Sequence, residues 1–503
     1  MTKGKVTLVG AGPWDPGLLT LKGRACLEKA DVILYDDLVN PSLLLYAPKE
    51  AKKINVGKRG GERSTPQEKI HRLLLKFAEE GRTIVRLKGG DPFLFGRGSE
   101  ELLFLAKHRI PFEVVPGVSS AVACPAYAGI PISDRHYASS IGILTGTARP
   151  DKEFSTLRWE KLATAVDTLI VLMGVRALPK IVRELVKNGK SPATPCALIQ
   201  WGTSSRQKTV TGSLKNIVRA SRRITPPAVF VVGEVVRLRR FLNWYESKPL
   251  FGKRILVTRP KGQAEPFAKI LEEKGAEVLT LPTSEIVPLG KKKDLENIFS
   301  SLHTYDWVFF SSVNGVALFL SQWENSGRSL KEISHLKIAA IGPKTRESLE
   351  RGGLSVSLLP KRFTQEGLVE AIREKRIDVK GKKVLLLHAE GARTFLAVSL
   401  KRKRALVTSV FLYVSKKAKG SAKPILETLR KGDVDIITFT SSSCVEHFFE
   451  FFPAISPKVL LNGTQVASIG PVTSKRCRDF GLRVSIEAKR HTTDGLLQAI
   501  VKQ

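Results

Sequence analysis

Through the first half of the chain, short runs of apolar and β-branched residues alternate with stretches whose apolar positions recur every three or four residues. The runs Val6–Val9, Val32–Tyr35, Ile84–Leu87, Phe112–Val115, Ile141–Leu144, Leu169–Met173, Cys196–Gln200 and Val229–Val232 predict strands. Pro66–Glu80 and Leu178–Asn188 predict amphipathic helices. Strands separated by helices predict the α/β class. Pro116-Gly117 marks a break after the fourth run and predicts two subdomains, about 1–116 and 117–247. Near Trp244–Arg254 the pattern restarts with KPLFGK and a fresh strand, RILVTRP, which predicts a second domain over 252–503.

That second half repeats itself. IGPKTRESLERGGLSVSLLPKRFTQEGLVEAI, from Ile341, aligns without a gap on IGPVTSKRCRDFGLRVSIEAKRHTTDGLLQAI, from Ile469, with about half the positions identical. Upstream of each copy lies a strand followed by serines, DWVFFSSVNGV from Asp306 and DIITFTSSSCV from Asp435. Two similar α/β lobes are the expectation.

Composition adds one unusual feature. The 503 residues suffice for three or four domain-sized units, and 42% hydrophobic with 26% charged residues is ordinary for a globular protein. The net charge of +35 is not ordinary, and it is spread evenly, +18 over residues 1–250 and +17 over 251–503. Such a field favours polyanionic partners without choosing among nucleic acid, anionic lipid and acidic metabolites. Five scattered cysteines without C-x-x-C, and eight unclustered histidines, predict neither a disulfide framework nor a metal site. No signal peptide or membrane-length apolar run is visible, so the expectation is a cytoplasmic protein with no membrane partner.

The richest stretch is VRLKGGDPFLFGRGSEE, residues 85–101. Gly89 and Gly90 remove two side chains at a strand end, so a ligand can approach the backbone. Asp91 places a carboxylate there, while Arg97 and Glu100 stand three apart and share a face of the next helix. A tight turn with a helix cap explains the same residues without a ligand. The first loop, Gly10-Ala-Gly-Pro-Trp-Asp-Pro, lacks the third glycine of a dinucleotide fingerprint, and no P-loop is present.

VGAGPWDP, ADVILYDDLV, GKRGG, VRLKGGDPFLFGRGSEE, VVPGVSSA, AYAGIPISDR, LMG, QWGT and PPAVFVVGEVV occur in order through residues 1–247. This half resembles the uroporphyrinogen-III C-methyltransferases of the tetrapyrrole methylase family. The resemblance implies a tetrapyrrole methylase fold of two α/β subdomains and methyl transfer from S-adenosylmethionine to C2 and C7 of uroporphyrinogen III, giving precorrin-2. It implies that Pro13, Gly89, Gly90, Asp91, Leu94, Ser119, Ser120, Met173 and Gly202 surround the cofactor. By position alone Met173 reads as core filler. The resemblance makes Asp36 the proton acceptor and Lys58 the proton donor, and removing a pyrrole N–H proton is suitable general-base work. Without it, Asp36 reads equally as a helix cap. Arg97, Glu100 and Arg135 match substrate-contacting positions, where arginines can fork onto carboxylates. Three positions depart from the family pattern: Trp14 stands for a glycine, Asp134 in place of the usual residue of a T-H-R-type motif, and Thr147 for a histidine.

Residues 252–503 resemble uroporphyrinogen-III synthase through VTRP at Val257, DWVFFSSVNGV, the paired IGP-x-T segments, GARTFL and a late strand ending at Tyr413. The resemblance implies a two-lobed α/β fold, lobe one about 252–286 plus 415–503 and lobe two about 287–414. It implies closure of hydroxymethylbilane to uroporphyrinogen III with inversion of ring D and loss of water. Helix starts suit the carboxylates of such a substrate, which nominates Ser311, Ser312, Thr345, Ser441, Ser442 and Thr473 for binding. Each reads equally as an N-cap. Tyr413 aligns with the tyrosine that helps expel the hydroxyl, although a strand tyrosine is also an ordinary structural residue.

The expectation is thus a bifunctional cytoplasmic enzyme, with S-adenosylmethionine as cofactor, no metal, acidic tetrapyrroles as substrates and no nucleic-acid partner. Homodimerisation through the methylase half is implied by that family. The chain resembles a methylase fused to a synthase, not a complete siroheme synthase. A basic RNA methyltransferase with a C-terminal binding module is the alternative, and a C-terminal half that binds ligand without catalysis is a third.

Overall fold

The computed structural model describes residues 3–57, 66–146, 157–289, 292–420 and 422–503. The chain forms two compact units, Met1–Gly252 with Lys274–Glu277, and Lys253–Glu273 with Val278–Gln503.

The first unit holds two five-stranded sheets. β1 (Val6–Gly10), β2 (Val32–Tyr35), β3 (Lys52–Asn55), β4 (Ile84–Lys88) and β5 (Phe112–Val115) form a parallel sheet in the order β3-β2-β4-β1-β5. β6 (Ile141–Thr145), β7 (Thr168–Leu172), β8 (Pro195–Gln200), β9 (Lys208–Ser213) and β10 (Ala228–Val232) form a mixed sheet in the order β6-β7-β10-β8-β9. All eight strands expected in this half are present. β3 and β9 escape the hydrophobic pattern because each is an edge strand with polar residues. The helix Gln67–Glu79 buries Ile70, Leu74, Phe77 and Ala78 on one stripe, with Pro66 at its N-cap. Leu178–Lys187 buries Leu178, Ile181, Val182 and Leu185 in the same way. β7 stops one residue short of expectation because Met173 turns to φ +55°.

The second unit also holds two sheets. β11 (Arg254–Val257), β12 (Glu277–Thr280), β13 (Ser284–Pro288), β14 (Trp307–Phe310), β15 (Lys337–Ala340), β16 (Lys383–Ala389), β17 (Leu406–Lys417), β18 (Ile436–Phe439), β19 (Gln465–Ser468) and β20 (Val484–Glu487) follow in chain order. They pair as β12-β11-β18-β19-β20 and β13-β17-β16-β14-β15. β15 leads into the first copy of the internal repeat in one sheet, and β19 leads into the second copy, which contains β20, in the other.

The repeat's identities have a local cause. Thr364 and Thr492 cap the helices Gln365–Glu374 and Thr493–Val501, accepting from the N–H groups of Gly367 at 3.1 Å and Gly495 at 3.0 Å. A Cβ on Gly367 would stand 1.9 Å from the Arg362 carbonyl oxygen, and one on Gly495 2.1 Å from that of Arg490. Glycine three residues after the cap is what lets the turn close in either lobe. No helix among the described residues is long and apolar enough to cross a membrane. All five cysteines are free.

Candidate active sites

In the first unit the carboxyl ends of β1, β4 and β5 meet through glycines. A Cβ on Gly10 would lie 2.5 Å from the Gly117 backbone, and one on Gly117 2.4 Å from the Gly90 carbonyl oxygen. Gly12 and Gly90 form an isolated bridge, at φ +72° and +69°. Gly90 has room on its own face, since the nearest atom to an added Cβ is the Ser120 nitrogen at 3.8 Å. Close backbone packing below and open space above suit a ligand at the carboxyl edge of a parallel sheet.

The Asp91 carboxylate is held by backbone N–H groups. Its Oδ1 accepts from the N–H groups of Phe93 and Leu94, at 2.8 and 3.0 Å, and its Oδ2 from that of Gly117 at 3.0 Å. The side chain shapes the loop, leaving chiefly backbone for a ligand. Leu94 packs on the core of the other subdomain, which includes Leu172 and Cys124. Ser119 caps the helix Ser120–Tyr127 by accepting from Ala121 N–H at 3.2 Å. Gly202 lies against that helix, where a Cβ would meet Cys124 Sγ at 2.4 Å. Met173 is no core filler: it is 51% exposed.

The first loop is tied to the loop after β8. Thr203 Oγ1 donates to the Pro13 carbonyl at 3.0 Å and accepts from Asp15 N–H at 3.2 Å, while Tyr127 donates to Asp15 Oδ2 at 2.6 Å. Trp14 adopts φ +44°, a left-handed conformation that a glycine takes without strain, and the Arg206 guanidinium lies over both Trp14 and Trp201.

Asp36, at the end of β2, is not a helix cap. Its Oδ1 accepts from an Arg86 terminal nitrogen at 2.5 Å. Arg86 Nε also lies 3.3 Å from Glu101 Oε1, which receives Lys88 Nζ at 2.9 Å and Gln67 Nε2 at 3.0 Å. Arg86, Lys88 and Glu101 are almost wholly buried. Burial pushes the Glu101 carboxyl up, but Arg86 and Lys88 outweigh it and hold the group below its usual range. Burial and the neighbouring Arg86 charge lower the Lys88 ammonium. The signal for this network was two cations at alternate positions, Arg86 and Lys88, in an otherwise apolar strand, and so on one face of it. Lys58 and Thr147 lie outside the described residues.

Arg97 and Glu100 pair with each other through two contacts of 3.0 and 2.7 Å, at an exposed helix start where Arg97 takes φ +59°. Arg135 is exposed.

In the second unit the cap expectation divides the serines and threonines. Ser312 and Ser441 are N-caps, accepting from Gly315 N–H at 3.0 Å and Cys444 N–H at 3.2 Å. Ser442 opens the helix Ser442–Glu450, and Ser311 donates to the Leu387 carbonyl at 3.1 Å. Thr345 and Thr473 are not caps; both sit buried in the first turns of their helices, behind Gly342 and Gly470. The Tyr413 hydroxyl donates to Ser312 Oγ at 2.9 Å, which places a nearly buried phenol beside a helix start.

Comparison with known proteins assigns these units. The family model "Tetrapyrrole (Corrin/Porphyrin) Methylases" matches residues 5–218, and "Uroporphyrinogen-III synthase HemD" matches 265–498. The "Porphyrin biosynthesis protein HemD" of Ruminiclostridium josui is 33% identical over 504 residues, covering 100% of this chain and 98% of that protein. The uroporphyrinogen-III C-methyltransferase of Priestia megaterium is 51% identical over 235 residues, 46% of this chain and 98% of that protein. A crystal structure of the uroporphyrin III C-methyltransferase of Thermus thermophilus is 40% identical, with a TM-score of 0.42, over 47% of this chain and all of that one. A likeness that runs through both units shows that the chain belongs to the family that joins a tetrapyrrole methylase to a uroporphyrinogen-III synthase.

Proposed function

We propose that the second unit cyclises hydroxymethylbilane to uroporphyrinogen III and that the first methylates this product at C2 and C7, giving precorrin-2. The observation that carries the reading is the full-length likeness to one protein, running through both units and leaving no part of the chain for an RNA-binding module.

S-adenosylmethionine fits the first unit, because Gly90 leaves its own face open and Met173 stands exposed at the end of β7. When bound, this sulfonium supplies an electrophilic methyl group. Gly89, Gly90 and Ser120 provide backbone groups for it, Asp91 keeps their loop in shape, and Pro13, Leu94, Ser119 and Gly202 complete the walls. Asp36 accepts the pyrrole N–H proton as the pyrrole carbon takes the methyl, and Lys58 returns a proton. Arg86 aims the Asp36 carboxylate through a charge-assisted bond. Arg97, Glu100 and Arg135 receive substrate carboxylates and pyrrole N–H groups, the Arg97–Glu100 pair opening as they do.

In the second unit, Ser311, Ser312, Thr345, Ser441, Ser442 and Thr473 mark helix starts that receive carboxylates. Tyr413 gives its proton to the departing hydroxyl, which leaves as water, and Ser312 Oγ orients the phenol. The domains of this reading are 1–247, with subdomains about 1–116 and 117–247, and 252–503, with lobes about 252–286 plus 415–503 and about 287–414. The protein works in the cytoplasm, where five free thiols are at home. It has no nucleic-acid or membrane partner and dimerises through the methylase half, whose Leu21, Leu45, Leu103 and Phe241 are exposed.

Hydroxymethylbilane generated by its own synthase, incubated with the protein, tests both halves. Isomer III without S-adenosylmethionine and dimethylated precorrin-2 with it are expected. Isomer I alone, with no methylation of added uroporphyrinogen III, would remove both activities.

A further inference from the structure

The VTRP segment takes no part in the chemistry described so far, yet its Arg259 has no ion-pair partner among the described residues. Arg259 follows β11 at the carboxyl edge of a sheet whose neighbouring strand, β18, runs parallel to it. Its Nε is buried and has no hydrogen-bond partner. One terminal nitrogen donates to Gln263 Oε1 at 2.7 Å. Among the described residues no carboxylate forms an ion pair with it. Burial pushes the guanidinium below its usual range, and the Cys444 thiol, in the first turn of the helix Ser442–Glu450, is a neighbouring ionisable group.

Taking a guanidinium partly out of water is unfavourable unless an opposite charge meets it, so a half-buried Arg259 in this state is a poor structural element. It is a good receptor, because its unused N–H groups form a fork matched to a carboxylate. The surroundings add to this. Cys444 belongs to the helix that Ser441 caps, whose free N–H groups also favour an anion. Gln263 passes the contact on, donating to Asn314 Oδ1 at 2.8 Å on the helix Val313–Asn325, which Ser312 caps. Arg259 therefore lies where the two lobes approach each other, linked to the same helix start that holds Tyr413.

We propose that Arg259 binds a carboxylate of the acidic tetrapyrrole that the second unit cyclises, the unpartnered Nε–H and a terminal N–H together gripping one acetate or propionate arm. This rests on the synthase reading of that unit. The bond orients the substrate and transfers no proton, so its loss weakens binding more than turnover.

The test measures isomer III formation from hydroxymethylbilane by the full chain as wild type, Arg259→Met and Arg259→Lys, with thermal unfolding beside it. Arg259→Met is expected to raise KM about ten- to a hundredfold, the worth of a charge-assisted bond. It should hold kcat within about threefold and leave the melting temperature equal or higher, since it removes a half-buried charge that has no ion-pair partner among the described residues. Arg259→Lys falls between the two in KM, and it carries the test if the methionine variant does not fold. An unchanged KM in both variants overturns the proposal. So does a loss of kcat that tracks a fall in melting temperature, which would make Arg259 structural. Failure of the wild type to form isomer III would instead sink the synthase reading, and methylation of added uroporphyrinogen III serves as the control that the chain is intact.

Discussion

The indole of Trp14 stands edge-on to that of Trp201, with ring centroids 5.6 Å apart and planes at 82°, although both residues hold left-handed backbone conformations, φ +44° and +47°. Each is strained by about 1–2 kcal/mol. Both rings lie under the Arg206 guanidinium, which joins the first loop to the loop after β8.

Trp14→Gly relieves the strain and loses the stack, two effects of about 1 kcal/mol that nearly cancel. Trp14→Ala loses the stack and keeps the strain, and should cost about 1–2 kcal/mol. Denaturant unfolding of the full chain, followed by tryptophan fluorescence, measures the order. If alanine proves as stable as glycine here, the left-handed backbone is not what restricts this position.

Glu101→Gln leaves Arg86 and Lys88 without their shared anion and should destabilise the first unit by about 3–5 kcal/mol at neutral pH. Because the fold holds the Glu101 carboxyl below its usual range, its contribution is fully present above about pH 4.3 and fades as pH falls through the lower folded value. The gap between wild type and variant should therefore close on acidification. A gap that stayed constant from pH 7 to pH 3 would mean that the carboxylate charge does not matter.

Tyr413→Phe removes one hydroxyl and its bond to Ser312, while Ser312 remains the cap of its helix. Isomer III formation should fall about a hundredfold, the usual worth of a positioned acid, with methylation of added uroporphyrinogen III unchanged. Ser312→Ala should lower both the same rate and the stability, the latter by about 1 kcal/mol through the lost cap. Wild-type turnover in the phenylalanine variant would take the phenol out of the mechanism.

Gly202→Ala places a methyl group 2.4 Å from Cys124 Sγ, so the loop after β8 must move. Calorimetric titration with S-adenosylhomocysteine should show at least tenfold weaker binding, a loss of about 1.4 kcal/mol. Cys124→Gly should partly restore it, since the sulfur and its carbon are two of the three nearest atoms. Unaltered affinity in the alanine variant would place the cofactor away from this loop.

Much of the fold was legible because its signals are local. β4 is a short strand whose apolar residues alternate with Arg86 and Lys88 and which two glycines follow, and Gln67–Glu79 shows its buried stripe at helical spacing. The repeat could be read because its T-x-x-G caps obey the same steric rule in each lobe. β3 and β9 were illegible, since an edge strand needs no apolar face and its only signature is a partner distant in sequence. The site divides likewise. The glycines of β1 and β4 announced a close approach, but not that Gly10, Gly90 and Gly117 meet one another. Asp91 announced a charge at the cleft, but not that three backbone N–H groups consume it.

Residue spacing by itself determined the α/β class, the restart after Trp244 and the doubled second half, because each follows from neighbours along the chain. Tertiary structure alone decided which charges are compensated. Asp36 meets Arg86 across fifty residues, Glu101 gathers two cations in the interior, and Arg259 has no ion-pair partner among the described residues. A charge's partner and its loss of water depend on what folds around it, and no spacing rule records either.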